Sequence, residues 1–412
     1  MGMNNRWMYV DFNSYFASVE QQLKPHLRGK PIVVVPVESD ATCAIAASYE
    51  AKAFGIKTGT PIWEAKKMCP HLICVLANHE MYTHFHEKIL KEIDRHVPIA
   101  KVYSVDELAC KLMDNERAEA ASLAEKIKQS LKKNVGECLT CSIGFAPNRY
   151  LAKVATDMQK PNGLVFILQE QLPRKLYSLK LRDLPGIGAN MEVRLHKHRV
   201  YNIETLCSLD LKQMRIVWGS VEGERLWHQL QGMDLPDIET KRRSLGHSHV
   251  MAPELRAPNK ARLVARSLTA KAATRLRRIG FVASRMTLSL RLEEGEFFEV
   301  CLPCDRISDS FTFLSLFDQM WERMISQTGS ARVKKVSMTF SELEEKDSPQ
   351  YEFFIDPSKE KQERISCTLD LIHQKFGRNS VSLGILPDHD KTFASAKIAF
   401  SRIPDKEEFQ DS

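Results

Sequence analysis

Short apolar segments that read as strands alternate with helical patterns through the first 160 residues, and this order constrains the fold most. The strand-like segments are WMYVDF (7–12), PIVVVP (31–36), CAIAA (43–47), AKVYSV (100–105), LACKLM (108–113) and CSIGF (141–145). Helical periodicity marks residues 14–24, 48–55, 79–96, 115–133 and 148–158. A mixed order of this kind predicts a layered domain in which helices cover an antiparallel sheet.

The rest of the chain divides into three segments that differ in their sequence pattern. Residues 176–235 are predicted as short helices separated by Gly and Pro, and KRRS (241–244) as an exposed linker. Residues 245–341 predict a compact β-α-β-β-α-β unit. The tail 346–412 is polar, with one predicted helix near 359–376.

Length and composition indicate several globular domains. The chain has 412 residues, 43% of them hydrophobic and 27% charged, and a single core rarely grows beyond about 300 residues. No apolar run reaches the roughly 18 residues of a membrane span. The N-terminus lacks the layout of a secretory signal. We therefore expect a cytoplasmic protein without membrane contact.

Ten cysteines raise the question of disulfides or zinc. Two pairs have CxxC spacing, Cys138 with Cys141 and Cys301 with Cys304, but they lie far apart in or beside strand-like runs. A chain with a sizeable core does not need disulfides, and no second pair completes a zinc ribbon. Buried, reduced thiols are the interpretation we favour.

Positive charge is concentrated in one segment. The whole chain has a net charge of +7, but residues 241–291 contain thirteen Lys or Arg and a single acid, Glu254. Lys271, Arg275 and Arg278 recur there at helical spacing and are predicted to line one helix face. Such a segment suits a polyanion such as DNA; the alternative is a solvated basic face without a ligand.

Three carboxylates lie at the ends of predicted strands. Asp11 follows an apolar strand, and Asp106 and Glu107 lie together between two others. Acids gathered at the rim of a sheet repel one another unless cations are present, and Mg²⁺ prefers carboxylate and phosphate oxygens. Two such ions can activate a hydroxyl and hold a leaving oxygen. Taken singly, each acid could equally be an ordinary turn residue.

Five motifs in order make the chemistry specific. VDFNSYFASVEQQLKPHLRGKPIVV (10–34), SYEAKAFGIKTGTP (48–61), YSVDE (103–107), CSIGFAPNRYLAKVATDMQKPNG (141–163) and LPGIG (184–188) resemble the motifs of Y-family (translesion) DNA polymerases. The resemblance is to the bacterial polymerase IV-like and UmuC-like branch, and it covers more than four-fifths of the chain.

The resemblance implies an α+β multidomain, right-hand polymerase. The expected parts are a palm with an antiparallel sheet plus helices, small fingers, a helical thumb with a helix-hairpin-helix, and a β-α-β-β-α-β little finger. The corresponding segments are palm 1–30 and 78–170, fingers 31–77, thumb 171–238, linker 239–244, little finger 245–345 and C-terminal tail 346–412.

The resemblance also implies the metal site. Asp11 and Asp106 match the two metal-binding aspartates, Glu107 matches the third acid, and the backbone carbonyl of Phe12 completes a metal site. These residues are expected to be catalytic through two Mg²⁺ ions per active site, for which Mn²⁺ would substitute. Asn13 and Leu108-Ala109-Cys110 depart from the usual family pattern beside these acids.

Nucleotide contacts follow from the same motifs. Phe16 matches the steric gate that excludes a ribose hydroxyl, and its neighbour Tyr15 is included in the nucleotide pocket. Tyr49, Lys52 and Lys160 match the triphosphate contacts. Lys52 departs from the usual Arg and cannot form a bidentate fork. The small residues Ala46, Ala47 and Ser48 are expected to press little on the nascent base pair.

DNA and clamp contacts complete the implied set. Gly186 and Gly188 would let backbone N–H groups approach a DNA phosphate; a tight helix–helix turn is the alternative. Lys271, Arg275 and Arg278 would grip the backbone from the little finger. Gln350, Phe353 and Phe354 match a peptide that binds the replicative sliding clamp, and a strand packed on its own domain is the alternative.

These observations predict an error-prone DNA-directed DNA polymerase without proofreading. It would extend a primer past damaged template bases, use dNTPs, act as a monomer, and serve DNA repair and SOS mutagenesis. Two alternatives remain: a weak or inactive polymerase-like adaptor in a repair complex, and a nucleotide cyclase on a similar palm. The retained acids disfavour the adaptor, and a cyclase would not need the thumb motif or the basic segment.

Overall fold

The computed structural model describes residues 5–238, 241–346, 357–377, 380–381 and 383. The described residues up to Asp237 form one compact unit, and those from Ile238 onward form a second. No helix within the described ranges is both long and apolar enough to cross a membrane.

The strands and helices fall close to the predicted segments. The strands are β1 (Trp7–Phe12), β2 (Ile32–Val35), β3 (Ala46–Ala47), β4 (Ile73–Leu76), β5 (Ile99–Val102), β6 (Glu107–Lys111), β7 (Cys141–Ala146), β8 (Leu164–Phe166), β9 (Ser244–Val250), β10 (Phe281–Leu292), β11 (Phe297–Ile307) and β12 (Val333–Glu345). The α-helices are α1 (Tyr15–Leu23), α2 (Tyr49–Ala53), α3 (Ile62–Met68), α4 (His79–Asp94), α5 (Asp114–Ala118), α6 (Ala120–Asn134), α7 (Arg149–Met158), α8 (Ala189–Lys197), α9 (Ile203–Ser208), α10 (Leu211–Trp218), α11 (Val221–Leu230), α12 (Pro258–Arg278), α13 (Ser310–Thr328) and α14 (Pro357–Phe376).

A five-stranded sheet of order β5-β6-β1-β7-β8 is the centre of the first unit. Strands β5, β6, β1 and β7 pair antiparallel, as the strand order predicts. Strand β8 pairs parallel with β7, which differs from a purely antiparallel sheet. The reason is α7, which lies between β7 and β8 in the chain and supplies the crossover that a parallel pair requires.

Helix α7 lies unusually close to the sheet. Gly144 of β7 makes this possible, because a Cβ at that position would lie 2.2 Å from the carbonyl oxygen of Ala152 and 2.7 Å from the Cβ of Ala155. Asn148 caps the helix, its Oδ1 accepting from the N–H of Leu151 at 2.8 Å. The close approach sets how far the side chains of α7 reach toward the strand ends.

A smaller sheet of order β3-β2-β4 lies within residues 32–76. Strand β2 is fully buried, as its run of Val residues predicts. Ser48 caps α2 as expected: its Oγ accepts from the N–H of Ala51 at 3.3 Å. Helix α3 and strand β4 were not predicted, and the helix predicted over 115–133 is divided at Glu119 into α5 and α6.

Short helices α8 to α11 form the end of the first unit. Their buried residues, among them Leu195, Leu206 and Met214, join the core beneath α7. Asn148 also anchors this region, because its Nδ2 donates to the carbonyls of Gln229 at 2.8 Å and Met233 at 3.1 Å.

The second unit confirms the predicted β-α-β-β-α-β order. Its antiparallel sheet has the order β11-β10-β12-β9, and α12 and α13 pack on it over a core that includes Leu288, Phe317 and Phe340. Helix α14, near the predicted position, adds to this unit. Asp370 of α14 accepts from the Nε of Arg277 at 2.6 Å, and Ser366 is fully buried beside Ser310.

Candidate active site

Asp11 and Glu107 are directly opposed on neighbouring strands. They are register partners in the antiparallel pair β1–β6. Asp106 precedes β6, and its carbonyl oxygen accepts from the N–H of Phe12 at 2.9 Å. The Oδ1 of Asp106 accepts from the Oγ of Ser104 at 2.5 Å. Two separate sequence segments therefore bring the three predicted acids to one edge of the sheet.

Two lysines contact two of these acids, Asp11 and Glu107, and only Lys160 was predicted to lie here. The Nζ of Lys160 donates to the Oδ1 of Asp11 at 2.8 Å. The Nζ of Lys153 contacts the Oδ2 of Asp11 and lies 2.5 Å from the Oε1 of Glu107. Asp157 is near both ammonium groups, 3.5 Å from Lys153 and 2.7 Å from Lys160. Lys153 and Asp157 lie one turn apart on α7, and Lys160 follows after the helix ends at Met158. Their spacing is a local signal, but no local pattern points to the contacts of Lys153 with Asp11 and Glu107.

Burial and charge set the pKa values of the acids. Burial raises the pKa of Asp11, but the ammonium groups of Lys153 and Lys160 outweigh it and hold the pKa below its usual value. Burial raises the pKa of Asp106, with a contribution from the charge of Asp11. Burial likewise raises the pKa of Glu107, against the opposing charge of Lys153. The negative charge of the three acids is therefore greater than the positive charge of the two lysines beside them.

The donor set suits a hard divalent cation. Asp11, Asp106, Glu107 and the carbonyl of Phe12 offer only oxygen atoms, as Mg²⁺ prefers. Within the described ranges, however, no three His, Cys, Asp or Glu side chains are gathered in a geometry that would hold a metal. Both carboxylate oxygens of Asp11 are in contact with lysines, Oδ2 with Lys153 and Oδ1 with Lys160. The chemistry of the donor atoms fits a divalent cation.

Asn13, where many Y-family sequences have an acid, ties the loop of Lys160 to the sheet. Its side chain is buried, its Oδ1 accepts from the N–H of Asn162 at 2.8 Å, and its Nδ2 donates to the Oγ of Ser142 at 3.1 Å. The same Oγ accepts from the N–H of Gly163 at 3.2 Å. An amide serves here because it both accepts and donates.

Tyr49 and Lys52 of α2 meet the start of α1 at Ser14. The Nζ of Lys52 donates to the Oγ of Ser14 at 2.6 Å and lies 4.4 Å from the centre of the Tyr49 ring. Burial lowers the pKa of Lys52, with a further contribution from the charge of Lys160. Two lysines and a phenol predicted to contact triphosphate thus lie close enough to influence one another.

Phe16 and Tyr15 follow at the start of α1. The Phe16 ring is half-buried and stacks on Tyr82, with centroids 4.3 Å apart. Tyr15 is buried, and its hydroxyl donates to the carbonyl of Tyr82 at 2.6 Å. Both side chains therefore lie against Tyr82 of α4; direct contact of either with a nucleotide stays a prediction.

The small residues Ala46, Ala47 and Ser48 lie at β3 and the start of α2. All three are buried, and the Oγ of Ser48 is engaged by the N–H groups of Ile32 and Ala51. That these small residues press little on a nascent base pair stays a prediction.

The predicted DNA contacts lie on both units. Gly186 has φ +90°, which favours glycine, whereas Gly188 has an ordinary φ of −88° and N-caps α8. An added Cβ at either glycine would meet nothing within 4 Å. In the second unit, Lys271, Arg275 and Arg278 lie on α12; Arg278 is exposed and the other two are half-buried. Gln350, Phe353 and Phe354 lie outside the described residues.

Family models cover most of the chain. The impB/mucB/samB family matches residues 10–157, its C-terminal domain matches 242–353, and the thumb domain of DNA polymerase iota matches 182–234. A DNA polymerase IV of Moorella thermoacetica is 33% identical over 69% of this chain and 72% of its own length. The chain belongs to the Y-family of DNA polymerases. Its enzyme class is therefore DNA-directed DNA polymerase.

Other Y-family members match over nearly the full length. A DNA polymerase IV of Bacillus velezensis is 28% identical over 91% of this chain and 92% of its own length. Among solved structures, a Y-family polymerase chimera of Dbh and Dpo4 has a TM-score of 0.70 at 23% identity, covering 82% of this chain and 98% of that one. An insertion ternary complex of Dbh DNA polymerase has a TM-score of 0.53 at 24% identity, with coverage of 81% and 98%. These structural matches show the right-hand, multidomain fold that the motifs predict.

The second departure from the Y-family pattern concerns Leu108 and Cys110. Both side chains are buried in β6, within the core beneath the sheet. Both side chains therefore belong to the core of the first unit rather than to the cluster of acids.

Proposed function

We propose that this Y-family polymerase extends a primer past damaged template bases by two-metal nucleotidyl transfer. The observation that carries the proposal is that Asp11 meets Asp106 and Glu107 at one end of the β1–β6 pair, although these two lie 95 and 96 residues further along the chain. Family membership implies dependence on divalent ions, and the all-oxygen donor set favours Mg²⁺, for which Mn²⁺ would substitute.

The acids and the Phe12 carbonyl would hold two ions. When bound, such ions supply activation of the primer 3′-hydroxyl and stabilisation of charge on the leaving pyrophosphate. The protein's own contribution is a rigid frame: Asp11 and Glu107 are fixed by strand pairing, and Asp106 by its bond from Ser104. Preformed positions of this kind avoid reorganisation during the reaction.

The lysines around the acids would receive the triphosphate. Lys160 contacts Asp11 and Lys52 contacts Ser14, and the charge of Lys160 adds to the effect of burial in lowering the pKa of Lys52. A polyanion would relieve the repulsion between the two ammonium groups. Tyr49 adds a phenol that approaches the same place from α2.

Nucleotide selection is proposed for Phe16. Its ring is fixed by stacking on Tyr82, and this fixed position would exclude a ribose 2′-hydroxyl by collision rather than by attraction. Tyr15 would support the pocket from the core through its bond to the Tyr82 carbonyl.

Primer-template DNA and dNTPs are the proposed partners, in line with a relative whose structure is an insertion ternary complex. Residues 1–30 with 78–170, 31–77, 171–238 and 245–345 would act as palm, fingers, thumb and little finger. Gly186 and Gly188 would approach DNA from the thumb. The clamp contact, the monomeric state, the cytoplasmic location and the lack of proofreading stay predictions.

Primer extension on matched intact and abasic templates tests the proposal. Wild type should extend a labelled primer by short runs, pass the abasic site, and leave the 3′-end of a mismatched primer undegraded. Complete arrest at the abasic site with faithful copying of intact DNA would contradict lesion bypass. Tight primer-template binding without extension on either template would favour the adaptor alternative.

A further inference from the structure

The Lys153 ammonium lies between the carboxylates of Asp11 and Glu107. It contacts the Oδ2 of Asp11 and lies 2.5 Å from the Oε1 of Glu107, and its side chain is only 18% exposed. A charged group therefore links the two strands that carry the acids.

A divalent cation would need the same oxygen atoms. Two cations that share carboxylate oxygens in a partly buried site repel each other strongly, because little water screens them. An ion held by Asp11 Oδ2 and Glu107 Oε1 would lie next to the Lys153 ammonium. The repulsion between the two cations favours withdrawal of the ammonium when the ion binds.

The structure offers Lys153 a second partner. Asp157 lies one turn further along α7, and its Oδ2 is 3.5 Å from the Lys153 Nζ. The Tyr9 ring, 5.6 Å from the same nitrogen, gives it a further favourable contact. A small movement of a flexible side chain would exchange the metal-site acids for Asp157.

We infer that Lys153 is an exchangeable internal counter-ion, which occupies Asp11 and Glu107 until a divalent ion enters and then withdraws toward Asp157. It is a positioning residue for the acids rather than a metal ligand. The inference rests on the metal site of the proposed function. Lys153 thus has two opposed effects. It stabilises the site without metal, and it weakens the binding of the first divalent ion that enters.

Titration of Mn²⁺ into the full-length protein without DNA or nucleotide tests this inference, with free Mn²⁺ followed by electron paramagnetic resonance. Lys153→Met keeps the length of the side chain and removes its charge, whereas Lys153→Arg keeps the charge. We expect Lys153→Met to bind Mn²⁺ about tenfold or more tightly than wild type, because the competing charge is gone. Lys153→Arg should stay close to wild type.

Lys128→Met is the matched control. The Lys128 ammonium donates to the carbonyls of Asn162 and Gly163, at 2.7 and 2.9 Å, in the same loop region but not to a metal-site acid. Its loss should leave Mn²⁺ affinity unchanged. A second readout is the thermal unfolding midpoint: without metal it should fall in Lys153→Met relative to Lys153→Arg, and added Mn²⁺ should close the gap.

Equal or weaker Mn²⁺ binding by Lys153→Met would overturn the inference while leaving the metal site intact. Asp106→Ala/Glu107→Ala separates the two ideas, because loss of Mn²⁺ binding in that variant supports the metal site itself. If wild type and every variant failed to bind Mn²⁺, the inference and the metal site of the proposed function would both fall.

Discussion

At the scale of single residues, Phe16 shows how a core-like residue can carry specificity. Its ring is fixed on one face by Tyr82 and is only half-buried. A residue held this way is rigid enough to reject a substrate by collision, which a mobile side chain would not do. The same stacking means that truncating the ring also removes some packing.

Phe16→Ala should relax sugar selection. Without the ring, ribonucleotide incorporation relative to dNTP should rise by about 10- to 200-fold, the range expected when a pocket ceases to reject a small group. Single-nucleotide insertion kinetics with dNTP and NTP measure this ratio. Phe16→Tyr keeps the ring and should retain selection; unchanged ratios in Phe16→Ala would show that another residue excludes the ribose.

Sequence motifs located the predicted acids, Lys160 and Phe16, because each lies in a run with a distinctive pattern. They did not locate Lys153, since its partners Asp11 and Glu107 are distant in sequence and meet it only through the fold. The sequence shows that Asn13 differs from the usual Y-family residue, but it does not show what Asn13 contacts. Its bonds to Asn162 and Ser142 depend on tertiary contacts that no local pattern encodes.

At the scale of elements, the approach of α7 to β7 sets the reach of Lys153. Gly144 allows this approach, because the backbone of Ala152 and Thr156 occupies the space of a Cβ. The helix cannot move away freely, since Asn148 fixes its N-terminus to Gln229 and Met233. A side chain at position 144 would therefore displace α7 and shift Lys153 relative to Asp11 and Glu107.

Gly144→Ala should destabilise the first unit by about 1–3 kcal/mol, as expected for overpacking, and should slow nucleotide incorporation. Gly188→Ala is the matched control for stability, because its φ is ordinary and a Cβ there meets nothing. Urea unfolding measures both variants. A Gly144→Ala protein as stable as wild type would show that α7 moves without cost.

Periodicity predicted the long elements well and the short ones poorly. Strands β1 and β7 and helices α4 and α7 lie where the pattern placed them, because each buries a regular set of side chains. Strand β2 was predicted because it is a fully buried apolar run, whereas most side chains of β4 and β8 are partly or fully exposed. The interruption at Glu119 between α5 and α6 has no Gly or Pro to mark it. The parallel β7–β8 pair follows from chain connectivity rather than from local pattern.

At the scale of the whole molecule, the basic segment 241–291 is less positive in the fold than in the sequence. Acids from elsewhere in the second unit pair with several of its thirteen basic residues. Examples are Arg256 with Glu293, Arg262 with Asp318, Arg277 with Asp370 and Arg285 with Glu342. The positive charge that the segment would present to DNA is therefore smaller than its composition suggests.

Replacing Lys271, Arg275 and Arg278 together by Ala should weaken primer-template binding evenly across sequences. For every phosphate that the variant no longer binds, the slope of log affinity against log salt should fall by about 1, and thus by up to about 3 for the triple variant. Fluorescence anisotropy at several salt concentrations measures the slope. Arg262→Ala, which breaks an existing ion pair, is the control; a wild-type slope near zero would contradict phosphate binding.

Single-turnover incorporation of one correct dNTP tests the central claim most directly, because it isolates chemistry from DNA binding. Asp106→Asn/Glu107→Gln keeps the shape of both side chains and removes their charge. The account predicts a rate at least about 10³-fold lower than wild type, with primer-template affinity little changed. A variant that incorporates the nucleotide within about tenfold of the wild-type rate, a difference of only about 1.4 kcal/mol in the barrier, would contradict the assignment of these acids as the catalytic metal site.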